Sequence, residues 1–592
     1  MTVHGSSRPA ATQARVLVLG CVAGVVILLA VTWPLWLAGA VPGWDRVPHS
    51  IWYLSLKEQL ALGDPYPRWL VNGNAGLGSP ALYFYGFVPV SVAAATGTAL
   101  EAVGLHRAPL HGLAVAATLF SLAGFLGMVV LMRRRVGAVA ALIAGLVLVL
   151  HPFAFAFDLF QRFGFAEHAA IMTLPWLAAA VLGVLDGRRH AVLMLVVVAA
   201  VLVTTHLPSA AIAAAVTGAA ALALVLMRPK GRRAGVLARL VLAAVLALAL
   251  AAPYLATVLT QAAWVSVDAL VDQEVFDYRR NFVFTGPHRT AREVTAWAVI
   301  PSLVVIVAGI AVSLWRLRAM ADGARQLLVL GSATALASLF LMTEASAPLW
   351  ATIEPLQMIQ FPWRVVVGLT LATAVLAGLL VDVVAERPKG VVSAGLVTVI
   401  AAAGATALPA VERTAWLYVS VWRQGADAFP ISDLIDLRQD MREYRPAWAD
   451  PALLSPKSLD AVRSRQAEGE PAGPVRVAIG PDRITATGTV GQPTCFLLDH
   501  LYYPVWGLGG AARGGATRFG PGPDGRMQVC VPPGPFAVRI ERRMTPAELL
   551  GMALAISAAL TMAGFALSGR RRFQAGAGPV RPNMAPERTS GG

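Results

Sequence analysis

Long blocks of apolar residues recur along most of this chain, and they exclude a water-soluble fold for most of it. Val192–Val203, Ala210–Met227 and Leu240–Ala252 leave no polar face for solvent. A helix needs about 20 apolar residues to cross the hydrocarbon of a bilayer, and about a dozen segments approach that length. Charged residues make up only 14% of the sequence, against roughly 25% in soluble proteins. The net charge of +15 therefore reads as membrane topology, because the basic residues sit in short clusters between apolar runs. No interleaving of aromatic and basic residues points to nucleic acid.

The clusters set the expected threading. They are Arg8 and Arg15, Arg133 to Arg135, Arg188-Arg189, Arg228 to Arg233, Arg316 to Arg318, Arg387 to Lys389 and Arg570 to Arg572. All become cytoplasmic if spans lie near 16–36, 112–132, 136–152, 169–185, 191–205, 208–227, 235–261, 294–315, 326–343, 364–384, 391–409 and 547–568. That makes about 12 spans, on the rule that short cytoplasmic loops are basic. Ala81–Val103 is then read as an interfacial or re-entrant element, since it contains Pro89, Gly97 and Glu101. If it crossed instead, the count would become 11 or 13. The expected fold is a mainly α, polytopic helical bundle, placed in the plasma (inner) membrane.

This threading divides the chain into a cytoplasmic N-terminus (1–15), a membrane core (16–409) with a large first outer loop (37–111), an extracytoplasmic domain (410–546), a last span (547–568) and a disordered cytoplasmic tail (569–592). The polar loops 37–79, 153–168, 262–293 and 344–362 fall on the outer face with that domain, so any chemistry is expected there. Within the domain, a helical linker (430–470) with helical periodicity at Ile431–Glu443 precedes a β-rich part (471–542). Short strands are expected at Val475–Ile479, Arg483–Thr489, Thr494–Leu501, Met527–Val531 and Phe536–Ile540, parted by Gly/Pro-rich turns, as in a small β-sandwich. Cys495 and Cys530 fall in it, either as a disulfide suited to an oxidising compartment or as two buried thiols. Cys21 reads as a membrane-buried thiol.

Ionisable residues gather at a few points. Asp45 follows the first span, where a carboxylate can act as a general base. His49 lies four residues on, on the same face if the segment is helical. The structural alternative is a helix-start Asp and a surface His. Asp158, Arg162 and Glu167 sit among aromatics. Charge near membrane depth is costly, so such groups pair or serve function. Arg162 can bind phosphate through a bidentate fork or fix the loop by pairing with Glu167. His206 interrupts an apolar region, and Gln360 and Arg364 open a later span. No Walker loop, dinucleotide fingerprint or zinc spacing is present.

At these motifs the sequence resembles the bacterial membrane proteins catalogued as "6-pyruvoyl-tetrahydropterin synthase-related", which belong with the GT-C type of glycosyltransferases. The shared residues are Asp45 and His49, Gly63–Trp69 with Arg68, Gly76–Tyr85, Asp158–Glu167, His206 with Pro208, Gln360–Arg364, and Glu443-Tyr444 with Pro446. The resemblance implies sugar transfer from a polyprenyl-phosphate donor on the outer membrane face, to an envelope glycan, lipid or protein. It implies that Asp45, with His49 beside it, is catalytic. Arg68, Asp158, Arg162, Glu167, His206, Gln360 and Arg364 would bind the substrates. Arg46 stands where a second acid is common, so no metal ligand set is assigned; a divalent metal stays open as cofactor. The competing classes are a flippase or transporter of lipid-linked glycan and a non-catalytic envelope scaffold. The spans' clean Ala/Val/Leu middles disfavour transport.

Overall fold

The computed structural model describes residues 10–270, 273–385, 408, 410–468, 475–509 and 516–576. Among them ten helices are long and apolar enough to cross a membrane. In chain order the helices that frame the site are α1 (Ala10–Val31), α2 (Arg46–Ala61), α3 (Phe87–Ala102), α4 (His111–Met132), α5 (Ala138–Val149), α6 (Phe165–Leu185), α7 (Ala191–Thr205), α8 (Leu207–Leu226), α9 (Lys230–Leu250), α10 (Ala252–Gln261), α11 (Ile300–Trp315), α12 (Asp322–Met342) and α13 (Val366–Ala385). Beyond them lie α14 (Pro456–Glu468) and α15 (Pro546–Gly576).

Ten of the twelve expected spans coincide with these long helices. The segment expected at 191–205 is the helix α7, which at 15 residues is shorter than these ten. The segment expected at 391–409 lies outside the described residues, apart from Leu408. The segment 235–261 is not one straight rod: the helix breaks at Ala251, and Pro253 opens α10. Proline lacks the N–H and crowds the preceding turn, so a new helix starts there.

Ala81–Val103 splits into a single turn, Ala81–Phe84, and the helix α3 of 16 residues. α3 packs on α4, with Gly97 against Gly112. Without side chains at that crossing the two backbones approach closely, as small residues permit between membrane helices. α13 runs through the middle of the bundle, buried on almost every side, against α5, α11 and α12.

The soluble-looking part is a two-sheet β-domain. One sheet has the order β1 (Val475–Ile479), β2 (Arg483–Val490), β7 (Gly534–Arg542) and β4 (Trp506–Leu508). The other has β3 (Thr494–Leu501), β6 (Arg526–Val531) and β5 (Arg518–Pro521). β4 and β5 were not expected; at 3 and 4 residues they carry too short an alternation to be seen in sequence. Cys495 and Cys530 face each other in the β3–β6 register and are bonded, with Cα atoms 3.9 Å apart.

The helix expected at Ile431–Glu443 is a correction. Only Asp433–Asp436 and the turn Arg442–Tyr444 are helical, and Arg438 has φ +51°. The carbonyls of Leu437 and Arg438, free to bond along a helix, instead accept from the N–H groups of Ala75 and Asn74 of the first loop. A tertiary contact overrides local propensity here.

That first loop is built into the β-domain. Trp69, Val71, Leu77 and Tyr83 share one core with the inner faces of the strands. Trp69 Nε1 donates to His500 Nε2 at 2.9 Å, Leu501 N to Leu77 O at 2.6 Å, and Arg542 pairs with Asp64 at 2.6 Å. Truncating a fully buried Trp costs about 3–5 kcal/mol, so the Gly63–Trp69 string is in large part a clamp between loop and domain.

Candidate functional site

The site begins with a wide helical turn. After Pro152, residues Phe153–Arg162 wind with π-type spacing and end at Phe163, which takes the left-handed conformation at φ +59°. The stretch 153–168, expected as a loop, is therefore almost wholly helical, because α6 restarts at Phe165. The aromatic face Phe153, Phe157 and Phe160 is buried, which holds the turn against the bundle. π-Type turns within helices are rare and frequently mark functional sites. The reversal at Phe163-Gly164 returns Glu167 to Arg162.

Two glycines make the close approach. A Cβ on Gly164 would lie 2.2 Å from Asp158 Oδ1. Gly43 has φ +88°, and a Cβ there would lie 2.4 Å from the backbone carbon of Arg162. Gly43 thus presses the first loop against the turn, and Asp45 N donates to Arg162 O at 2.8 Å.

The side chains then converge on Arg162. Its Nε donates to Asp45 Oδ2 at 2.7 Å, and its Nη1 to Glu167 Oε2 at 2.8 Å and to Asp158 Oδ1 at 3.3 Å. Arg364, from the turn Pro362–Val365, lies with Nε 3.4 Å from the same Glu167 oxygen. Its Nη1 donates to Ile359 O and to Gln360 Oε1, at 2.9 and 3.0 Å. Gln360 in turn donates to Leu270 O at 2.8 Å. Arg162 lies over the Trp363 ring and Arg364 over Phe361. Three carboxylates and two guanidiniums from three distant parts of the sequence form one network.

Exposure separates its members. The side chains of Asp158 and Glu167 are 0% and 1% exposed, Arg162 8% and Arg364 11%, while Asp45 is 33% exposed. Asp45 therefore presents a carboxylate to solvent from a buried base of charge. Asp158 Oδ2 and Glu167 Oε1 are buried without a hydrogen-bond partner.

His49 does not share the Asp45 surface. It is buried in a box of Trp52, Tyr85, Phe163 and Phe165, with ring centroids 5.7 to 6.3 Å away, and its Nδ1 has no partner. Burial, and then the nearby Arg162 charge, push its pKa down to about 3. The ring is neutral at ordinary pH, so it offers a hydrogen bond and no charge. His206 makes no bond to the network among the described contacts: its Nδ1 is 2.7 Å from Ser209 Oγ and its ring lies 6.5 Å from Tyr85.

Arg68 is not brought to this centre. It donates to the carbonyls of Leu82 and Tyr83 at 2.8 and 3.2 Å and to the Tyr66 hydroxyl at 2.6 Å, between the Tyr66 and Tyr83 rings. Its guanidinium braces the loop's own fold.

Tyr85 is the residue that reading ionisable groups alone passes over. It is half-buried, tilted on Trp52 at 4.2 Å and edge-on to Tyr444 at 6.4 Å. Burial holds its phenol well above the usual pKa, so it stays a donor. Trp52 is fixed from the other domain: its Nε1 donates to Asp440 Oδ1 at 3.1 Å, and Ser79 donates to the other oxygen. The signal lay in the strings around Tyr85 and Tyr444, whose aromatic residues were not counted as site residues.

Among the described residues no three His, Cys, Asp or Glu side chains are placed to hold a metal ion. The carboxylates that would serve already surround a guanidinium.

An apolar groove of about 370 Å³ opens between α5, α11 and α13, lined by Ile143, Leu146, Pro301, Ala377 and Leu380, with the His151–Ser302 hydrogen bond at 2.8 Å along its wall. Phe153 and Phe157 both pack on Trp363, which links the wall of this groove to Arg162.

No family model matches the chain, and no curated protein does. Partial similarity exists to solved structures. ArnT from Cupriavidus metallidurans bound to undecaprenyl phosphate is 17% identical over 76% of this chain and 77% of that one, at TM-score 0.43. The arabinofuranosyltransferase AftD from Mycobacteria is 17% identical over 66% of this chain and 28% of that one, at TM-score 0.40. The oligosaccharyltransferase of Archaeoglobus fulgidus is 13% identical over 73% of this chain and 60% of that one, at TM-score 0.41. No residue correspondence follows from likenesses so distant.

Proposed function

We propose that this chain is a membrane glycosyltransferase of the GT-C type, moving a sugar from a polyprenyl-phosphate donor to a hydroxyl of an envelope acceptor. The observation that carries the reading is the half-open Asp45 carboxylate, held at 2.7 Å on a buried Arg162 that also binds Glu167. In the step, the acceptor oxygen bonds to the sugar's anomeric carbon as the bond from that carbon to phosphate oxygen breaks. The acceptor proton passes to Asp45, and the bonding pair leaves with the lipid phosphate. A base must lie within about 3 Å of that proton, and Asp45 is the acid of the network open enough to meet a hydroxyl. Fixed guanidiniums meet charge best where water is excluded, and Arg162 and Arg364 supply them. The donor's isoprenoid chain suits the apolar groove beside Phe153. ArnT holds undecaprenyl phosphate, but the likeness is too distant to transfer that ligand, and the reading rests on the site.

The site and the β-domain are assigned to the extracytoplasmic face of the plasma membrane, because the short basic loops join the opposite helix ends. The resemblance to the pterin-synthase-related proteins belongs to the same reading, and their name carries no chemistry here.

The test is a membrane assay with a panel of polyprenyl-phosphate sugars. Wild type transfers one of them and Asp45→Asn does not, at equal membrane levels. Transfer by both would end the base assignment.

A further inference from the structure

A second ionisable cluster lies at the far end of α6. Asp186 follows the last residue of that helix, and Glu167 lies in its first turn. Nineteen residues at about 1.5 Å each put the two clusters roughly 28 Å apart along the helix, close to the thickness of the hydrocarbon. This second cluster is therefore at the opposite membrane face and plays no part in the site above.

Three guanidiniums meet the one carboxylate of Asp186. Arg135, after α4, reaches Oδ2 at 2.6 Å; Arg188, in the turn before α7, reaches the same oxygen at 3.0 Å; Arg228, after α8, stands 4.0 Å from Oδ1. Arg135 is almost fully buried, its side chain 4% exposed. The Nη2 of Arg228 is sheltered from solvent and has no hydrogen-bond partner. A structural role explains part of the cluster: Arg135 Nη1 also donates to Leu131 O at 3.3 Å, completing the end of α4, and cations suit helix C-termini. It does not explain the stoichiometry. Three positive groups share one negative group, and one sheltered donor is left over.

The surroundings say what completes it. Leu222, Leu226 and Met227, which lead along α8 to Arg228, are all more than half exposed. Leu222 and Leu226 are one helical turn apart, so they form an apolar strip running from the charged cluster into the bilayer. An anion presented here carries its negative group at the membrane surface and hydrocarbon below it. Basic pockets between membrane helices at the cytoplasmic side have this character.

We infer that Arg188 and Arg228, braced by Arg135 and Asp186, bind the phosphate of an anionic phospholipid, with its acyl chains along Leu222 and Leu226. The phosphate chemistry is shared with free phosphate, and the chains distinguish the lipid.

The test is native mass spectrometry of the full chain in detergent, titrated with phosphatidylglycerol, phosphatidylcholine or inorganic phosphate. Wild type should retain phosphatidylglycerol over phosphatidylcholine by on the order of tenfold, and inorganic phosphate in equal amount should not displace it. The double variant Arg188→Gln/Arg228→Gln should lose that preference. Arg134→Gln/Arg189→Gln, which removes the same charge from the exposed neighbours, should keep it. Equal losses in the two double variants would overturn the site in favour of general surface charge. Binding of inorganic phosphate with no lipid preference would overturn the lipid as occupant. Melting in lipid-free detergent checks folding, and Arg188→Gln alone replaces the double variant if that one unfolds.

Discussion

Replacing Asp45 by Asn keeps the side chain's shape and removes its charge, so it separates chemistry from architecture. The structural cost follows from exposure. Asp45 is 33% exposed, and Arg162 keeps Asp158 and Glu167 when the Asp45 charge is gone. A partly solvated ion pair contributes at most about 1 kcal/mol, or about fivefold in the folding equilibrium. Loss of a general base costs about 10²–10⁴ in rate, far more than the structural effect. Glu167→Gln provides the contrast. Its side chain is 1% exposed and serves both Arg162 and Arg364, and breaking a buried ion pair costs about 3–5 kcal/mol. Asp45→Asn should then reach the membrane at near wild-type levels with donor binding retained and turnover lost. Glu167→Gln should instead lose folded protein. The assay is quantified membrane protein beside donor affinity and turnover. An Asp45→Asn protein of normal turnover, or one whose lost activity only tracks its lost abundance, refutes the base assignment.

Four further outcomes follow from the same structure. Arg162→Ala removes the shared partner of three carboxylates, so donor binding should weaken together with protein level, read by ligand binding on the surviving folded fraction. Gly43→Ala places a Cβ 2.4 Å from the Arg162 backbone at φ +88°, and turnover should fall while the β-domain still forms its Cys495–Cys530 bond, checked by mobility with and without reductant. That disulfide closes a separation of 35 residues; Cys495→Ser/Cys530→Ser should lower stability by about 3–4 kcal/mol, measured as a lower melting temperature. His500 is held neutral by burial, its pKa down to about 4, while Trp69 donates to its Nε2. Its folded pKa lies below its unfolded value near 6.5, so the unfolded state binds the extra proton first. Stability is complete above about pH 6.5 and falls as pH drops towards 4, and His500→Asn should flatten that part of a pH-dependent melting curve.

The membrane-spanning character was legible because it is a property of composition within a window: a run of apolar residues has the same meaning wherever it packs. The strands of the β-domain were legible for a related reason, since alternation and turn residues are local, and Cys495 and Cys530 fell within two of those strands. The helix wrongly expected at Ile431–Glu443 shows the limit, because its carbonyls were claimed by Asn74 and Ala75, more than 350 positions away in the chain. Asp45, Arg162, Glu167 and Arg364 were visible as ionisable residues beside the spans, yet nothing in their spacing required one network. The π-type turn ending at Phe163 and the close approach at Gly43 do that, and both depend on atoms remote in sequence. Arg68 and His49 stand in the sequence as plausibly as Arg162. Folding engaged the first with backbone carbonyls and enclosed the second among aromatic rings. Charge and type are set residue by residue, whereas partners and solvent access are set by which surfaces the chain brings together.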